Sequence, residues 1–196
     1  MSNLDCTYFW NDSKWTKSRV GIIPARMQPP HVGHLNLILN VIKRFKRLAL
    51  LTYKLSFSPE NPFTVEDRIR WIRLALFAIR GEAKDDICIF VTEGLAKMTD
   101  DEREVFLGKM TDQEPFVFVS MNPDVTEHCR RFQYPYMQPQ DFDSFINVHP
   151  DLQNNIAGNA TLIRRCLQED QPLPTGYLPP GIDEVEVRRL YKKYLG

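Results

Sequence analysis

Residues 19–42 read RVGIIPARMQPPHVGHLNLILNVI, and the change of pattern inside this stretch sets the fold class. RVGIIPARM has the β-branched content and short length of a buried strand, and Pro29-Pro30 forbids a regular element immediately beyond it. A strand is therefore expected to end near Met27. Past the break, Leu35, Ile38, Val41, Ile42 and Phe45 recur at helical spacing, with Lys43, Arg44, Lys46 and Arg47 mostly turned elsewhere. The unit is strand, loop, helix.

The same alternation continues outward. LALLTY at 48–53 reads as a second strand, and Val65, Ile69, Ile72, Leu76 and Ile79 mark a second amphipathic helix ending near Gly81. Thr64 is its expected N-cap, with Asp67 three residues on. DICIFV at 86–91 and PFVFVS at 115–120 are further strands, with the acidic, helix-prone DDEREVFLGKM between them. Strands alternating with helices predict an α/β fold: a Rossmann-like parallel sheet flanked by helices on both faces. The Pro-rich QPLPTGYLPPG at 171–181 sets off a last helix, Val185 to Leu195, as a C-terminal helical appendage. Residues 1–18 mix Tyr8, Phe9, Trp10 and Trp15 with polar types without periodicity. They read as an N-terminal extension packed on the domain, 19–196, or on a neighbouring subunit of a homo-oligomer.

Composition bounds the function. The 25 basic and 25 acidic residues cancel, which argues against nucleic acid or an anionic membrane as partner while leaving room for a local phosphate pocket. Cys6, Cys88, Cys129 and Cys166 form no C-x-x-C pair, so free thiols are expected. With no signal-peptide pattern and no apolar run of spanning length, the expected location is cytoplasmic.

Sheets of this class place ligands at the carboxyl ends of the strands, where loops enter helix N-termini. The unusual residues of the chain fall there. Arg26, His31, Gly33 and His34 lie between the first strand and first helix, with His34 in or beside the first helical turn. Exposed N–H groups and the positive end of the helix dipole attract anions at such a point. Two imidazoles, a glycine permitting close backbone approach and an arginine compose a triphosphate cradle. A zinc reading of the histidines lacks a nearby Cys or carboxylate partner, so no protein-bound metal is expected. Trp71, beside Arg70 on the second helix, reads as a packing residue rather than a base-stacking one. The KRFKR run at 43–47 reads as a solvated helix face, and His128 and His149 as structural residues.

In addition, GIIPARMQPPHVGHLNLILNVI resembles the nucleotide-binding segment of archaeal-type nicotinamide-mononucleotide adenylyltransferases, in the nucleotidyltransferase superfamily with an H-x-G-H motif. ENPFTVEDR at 60–68, FVFVSMNP at 116–123, GNATLIRR at 158–165 and the closing YLPPGIDEVEVRRLYKKYL are similar to later elements of that family, in the same order. The resemblance implies that Arg26, His31 and His34 contact the ATP phosphates, with Thr161 and Arg164 binding phosphate from an opposite helix terminus. It implies an adenylyl group passing from ATP, with Mg2+, to nicotinamide or nicotinic acid mononucleotide, releasing pyrophosphate. Asn122, on the strand-end loop, is the expected acceptor contact. The sequence departs from the family at Ala25, at Asn159-Ala160 and at Thr52-Tyr53-Lys54, where the family has small residues, and TEGLAKMTD lacks the family's Trp. These departures bear on the acceptor, so one alternative is a relative acting on another phosphorylated acceptor; a second, from a different class, is a non-catalytic nucleotide-binding protein on the same fold.

Overall fold

The computed structural model describes residues 20–80, 87–139 and 160–195. The expected extension at 1–18, together with Gly81, Asp86, His149 and Asn159, lies outside the described residues. The described chain runs β1 (Val20–Pro24), α1 (Val32–Arg44), β2 (Arg47–Tyr53), α2 (Val65–Arg80), β3 (Ile87–Thr92), a 3-10 turn (Leu95–Lys97), α3 (Asp100–Thr111), β4 (Phe116–Val119), α4 (Pro123–Arg131), β5 (Tyr136–Met137), α5 (Ala160–Gln168) and α6 (Glu184–Leu195).

All strand pairs are parallel, in the order β3-β2-β1-β4-β5. The order reverses beside β1: β2 and β3 lie on one side of it, β4 and β5 on the other. The crevice between β1 and β4 is thus the topological switch point, where open α/β sheets take their ligands.

Each strand divides its side chains between two cores with period 2. Ile23 of β1, Leu48 and Leu50 of β2, and Val117 and Val119 of β4 face α1, α2, α5 and α6. Val20 and Ile22, Ala49 and Leu51, and Phe118 face α3 and α4, against Leu107, Met110 and Cys129. Burial on both faces explains why these strands read as nearly continuous apolar runs. The C-terminal helix joins the first of these cores through Val187 and Leu190. Its Glu186 accepts a hydrogen bond from Trp71 Nε1 at 3.1 Å and pairs with Arg70 at 2.8 Å. Trp71 itself is fully buried, edge-on to Phe63 at 4.9 Å, and serves packing.

Local rules account for most boundaries. Thr64 caps α2, its hydroxyl oxygen accepting the Asp67 N–H at 3.0 Å. Thr99 and Glu102 form a capping box at α3. Asn122 caps α4 by accepting the Asp124 N–H at 2.9 Å, with Pro123 in the first turn. At Gly21 an added Cβ would sit 2.6 Å from Val41 Cγ1, so this glycine lets α1 lie close on β1. Among the described residues Cys88, Cys129 and Cys166 are free thiols, and no helix is long and apolar enough to cross a membrane.

Candidate functional site

The strand expected to reach Met27 ends at Pro24, because Met27 takes a positive φ of 53° that turns the chain out of the sheet. The loop that follows is held from three directions. Gln28, buried, donates from Nε2 to the Phe63 carbonyl and accepts the Phe63 N–H through Oε1, both at 3.1 Å, imitating a strand pairing. Arg68, 1% exposed, donates to the Thr64 carbonyl (3.0 Å), the Thr52 hydroxyl oxygen (2.7 Å), the Tyr53 carbonyl (2.7 Å) and the Arg26 carbonyl. From the far side Arg164 donates to the Gln28 carbonyl at 2.7 Å. One guanidinium therefore ties the carboxyl ends of β1 and β2 to α2, and a second ties the loop to α5.

The chain re-enters helix at His31, the N-cap of α1, which puts His34 in the first helical turn. The two rings lie 3.7 Å apart. His34 Nδ1 accepts the His31 backbone N–H at 3.4 Å, which leaves Nε2 as the proton-bearing nitrogen of a neutral ring. Nδ1 of His31 is buried and makes no well-formed hydrogen bond among the described residues. Burial lowers the His31 pKa to about 2, helped by His34 and Arg164, and burial lowers that of His34 to about 4. Both imidazoles are neutral donors and acceptors at neutral pH.

These side chains open on a cleft of about 880 Å³ over the carboxyl edge of β1 and β4. The size suits a small-molecule site. Arg26, His31, Gly33, His34, Asn122, Thr161 and Arg164 all line it, so the residues expected to contact ATP or acceptor are brought to one place. Three helix N-termini contribute: α1 through Gly33 and His34, α4 through Asn122 and Asp124, and α5 through Ala160 and Thr161. Each offers backbone donors and a positive dipole end. Arg164 also donates to the Thr161 hydroxyl oxygen at 3.1 Å. Its pKa is lowered by burial and then by Arg26, placing two guanidinium groups in one another's field; the Arg26 side chain makes no hydrogen bond or ion pair among the described residues. Such an arrangement attracts a polyanion.

The departures sort themselves by position. Thr52 is buried and serves as an acceptor for Arg68 rather than lining the cleft. Tyr53 does line it, its hydroxyl pKa raised to about 12 by burial. Lys54 faces a different hollow. His128, read from the sequence as structural, packs its ring against Phe132 at 4.6 Å and also reaches the cleft wall. Gln28 and Arg68 were not singled out from the sequence. The only signal was their place inside the two quoted motifs, since their partners lie 35 and up to 42 residues away.

Residues 22–93 match the cytidylyltransferase-like family. Over 58 residues the chain is 40% identical to a nicotinamide-nucleotide adenylyltransferase of Saccharolobus solfataricus, a stretch covering 29% of this chain and 34% of that protein. A bifunctional NMN adenylyltransferase/ADP ribose pyrophosphatase from Francisella tularensis superposes with a TM-score of 0.67 at 16% identity, covering 91% of this chain and 52% of that one. A structure of that description complexed with AMP and Mn ion gives a TM-score of 0.65 at 18% identity, with the same coverage. A putative nicotinate-nucleotide adenylyltransferase from Vibrio parahaemolyticus gives 0.54 at 14% identity, covering 89% and 99%. The chain thus spans about a third of the curated relative and half of the first structural neighbour. The fold is that of these nucleotidyltransferases, and the resemblance drawn from the H-x-G-H segment meets the same group of proteins.

Proposed function

We propose that this chain moves an adenylyl group from MgATP to nicotinamide mononucleotide or nicotinic acid mononucleotide, forming a dinucleotide and pyrophosphate. The observation that carries the reading is the convergence of Arg26, His31, His34, Thr161 and Arg164 on one cleft at the switch point of the sheet. An acceptor phosphate oxygen attacks the α-phosphorus of ATP in line, and pyrophosphate leaves. The acceptor phosphate is already ionised, so the protein supplies neither nucleophile nor strong base. Its work is to hold two anions together and to aim donors at the charge that grows on the α- and bridging oxygens. Arg26 and Arg164 take the phosphates, Thr161 and the α1 and α5 N–H groups anchor them, Gly33 lets the backbone come close, and His34 Nε2–H donates to the growing charge.

Among the described residues no three His, Cys, Asp or Glu side chains gather in a metal-binding group. Magnesium accompanies ATP as part of the substrate in this reading, bound through phosphate oxygens and water. All the named side chains come from one copy of the chain, and the free thiols fit a cytoplasmic setting.

Asn122 is the proposed acceptor contact. Its Oδ1 is committed to capping α4, so Nδ2 is what it offers, and an N–H donor serves a carboxamide oxygen and a carboxylate alike. Discrimination between amide and acid must then come from elsewhere. Tyr53 in the cleft, where the resembled family has small residues, favours a second reading: the same chemistry on another phosphorylated acceptor. Mass spectrometry of products from MgATP with a panel of phosphorylated acceptors tests both. A dinucleotide from either pyridine mononucleotide is the expected result. Turnover confined to a different acceptor selects the second reading, and no adenylylated product from any acceptor defeats both in favour of a nucleotide-binding protein.

A further inference from the structure

A second hollow, of about 590 Å³, lies apart from the phosphate-lining residues, between the end of β3 and α3. Its floor is Val91, Met98, Val105 and Phe106. Val91 is 41% and Val105 56% exposed, apolar surface facing water side by side on neighbouring elements. α3 presents Glu102, Val105, Phe106 and Lys109 to this hollow, the i, i+3, i+4, i+7 spacing of one helix face. The apolar pair is central, with one charge of each sign at the ends.

That arrangement is symmetric in position and opposite in charge. The point midway between Val105 and Phe106 is also midway between Glu102 and Lys109, which lie about 5 Å to either side of it along the helix axis. A two-fold axis through this point lays α3 antiparallel on α3 of a second copy. It sets the Val105 and Phe106 pairs against each other and brings Glu102 opposite Lys109 twice. A patch that is complementary to itself under a two-fold is what an isologous interface requires, and an apolar centre within a polar rim is its usual anatomy.

The two charges are free to serve. Glu102 uses Oε2 for both of its capping bonds, to the Thr99 N–H at 2.8 Å and the Thr99 hydroxyl at 2.9 Å. Lys109 makes no hydrogen bond or ion pair among the described residues. We propose that the α3 face centred on Val105 and Phe106 is a two-fold contact between two copies of this chain. Lys54 and Lys97 with Glu93 form its rim. Three lysines against two glutamates leave little net charge, so a small anion gains little there, whereas a protein face covers the exposed valines. One helix pair buries less than a standard interface, and the dimer is accordingly concentration-dependent.

Sedimentation equilibrium of the full chain over a concentration series tests the contact. The unmodified chain is expected to show a monomer–dimer equilibrium, and Val105→Lys to remain monomeric while keeping the parent's circular dichroism and thermal transition. Lys109→Glu turns both ion pairs repulsive and should weaken dimerisation by about tenfold. Adding Glu102→Lys restores the pairs with sign reversed and should recover the dimer. Because Glu102 also caps α3, melting of the double variant is followed in parallel; if it does not fold, Glu93→Lys, on the rim, is left to weaken the dimer less than Lys109→Glu. A parent that stays monomeric throughout, a Val105→Lys dimer of unchanged strength, or a Lys109→Glu variant that dimerises as the parent does would each overturn the proposal. So would a monomer whose hollow binds inorganic tripolyphosphate in a manner abolished by Lys109→Glu.

Discussion

His31 and His34 are neutral rings in the free protein at neutral pH, and this has two measurable consequences. In the folded chain the His34 pKa is about 4, against an ordinary 6.5. Between those values the unfolded chain binds more protons than the folded one, so stability rises with pH across that window and falls as pH drops from about 6.5 toward 4. Urea unfolding midpoints at pH 7 and pH 5 should show this decline, and His34→Gln should make it shallower, the remainder coming from His31, whose pKa is lowered to about 2. A bound triphosphate reverses the balance, because its negative charge favours the imidazolium. MgATP binding near pH 6 is therefore expected to take up protons, measurable by calorimetry in buffers of different ionisation enthalpy; zero uptake would separate the histidines from the phosphates. In turnover, His34→Ala should lose on the order of 10²–10³ in rate with a modest change in ATP affinity, since a donor aimed at transition-state charge is typically worth that much. Arg164→Ala should weaken ATP binding as well, because it removes both a proposed phosphate donor and the tie to the Gln28 carbonyl. At this scale the sequence was most informative where the chemistry is local: the histidines, Gly33 and Arg26 share one short segment. Gln28 and Arg68 gave no comparable signal, because their meaning lies in partners far along the chain.

Between elements, Arg68 is the critical tie, a buried cation with four neutral oxygens accepting from it and, among the described residues, no carboxylate hydrogen-bonded to it. Burial lowers its pKa to about 10, which still leaves it charged at neutral pH. Arg68→Met keeps the aliphatic bulk and orphans several carbonyls and the Thr52 hydroxyl. At roughly 1–3 kcal/mol for a buried group left unpaired, a loss of about 3 kcal/mol in urea unfolding is expected, together with a looser cleft. A variant within about 0.5 kcal/mol of the parent would show that water replaces the guanidinium without cost. Gly21 works at the opposite end of β1. Gly21→Ala places a methyl 2.6 Å from Val41, and overpacking of that kind costs about 1–3 kcal/mol. β1 to β4, as short apolar runs, α1 and α2, by their periodicity, and α3, by its acidic, helix-prone composition, were legible within a few residues. β1 ended early because a positive φ at Met27 is a conformational choice that apolar content does not encode. α4 and β5 were missed for a related reason. α4 is nine residues and mostly polar, β5 only two, and it is pairing with β4 that makes Tyr136–Met137 a strand.

For the molecule as a whole, the cleft draws on both layers of helices. α1 and α5 pack on one face of the sheet and α4 on the other, and they meet only at the carboxyl edge of β1 and β4. A ligand spanning Arg26, the α1 N-terminus and Arg164 therefore bridges segments that the two cores hold separately. Such a bridge stabilises the folded state by mass action, about 2.7 kcal/mol when free ligand stands at a hundred times its dissociation constant. For a domain of 150–250 residues that corresponds to an upward shift of about 5–11 °C in the thermal midpoint, at 2–4 °C per kcal/mol. MgATP should produce the shift, and inorganic tripolyphosphate should reproduce much of it, since the contacts proposed in the cleft are with phosphate rather than with a base. In Arg164→Ala both shifts should shrink together, as the link from α5 to the β1–α1 loop is lost. Val105→Lys, on the opposite side of the 3-10 turn, should leave both unchanged. A full ATP shift with none from tripolyphosphate would mean that the base and ribose carry the binding, and the phosphate-centred account of the cleft would have to be abandoned.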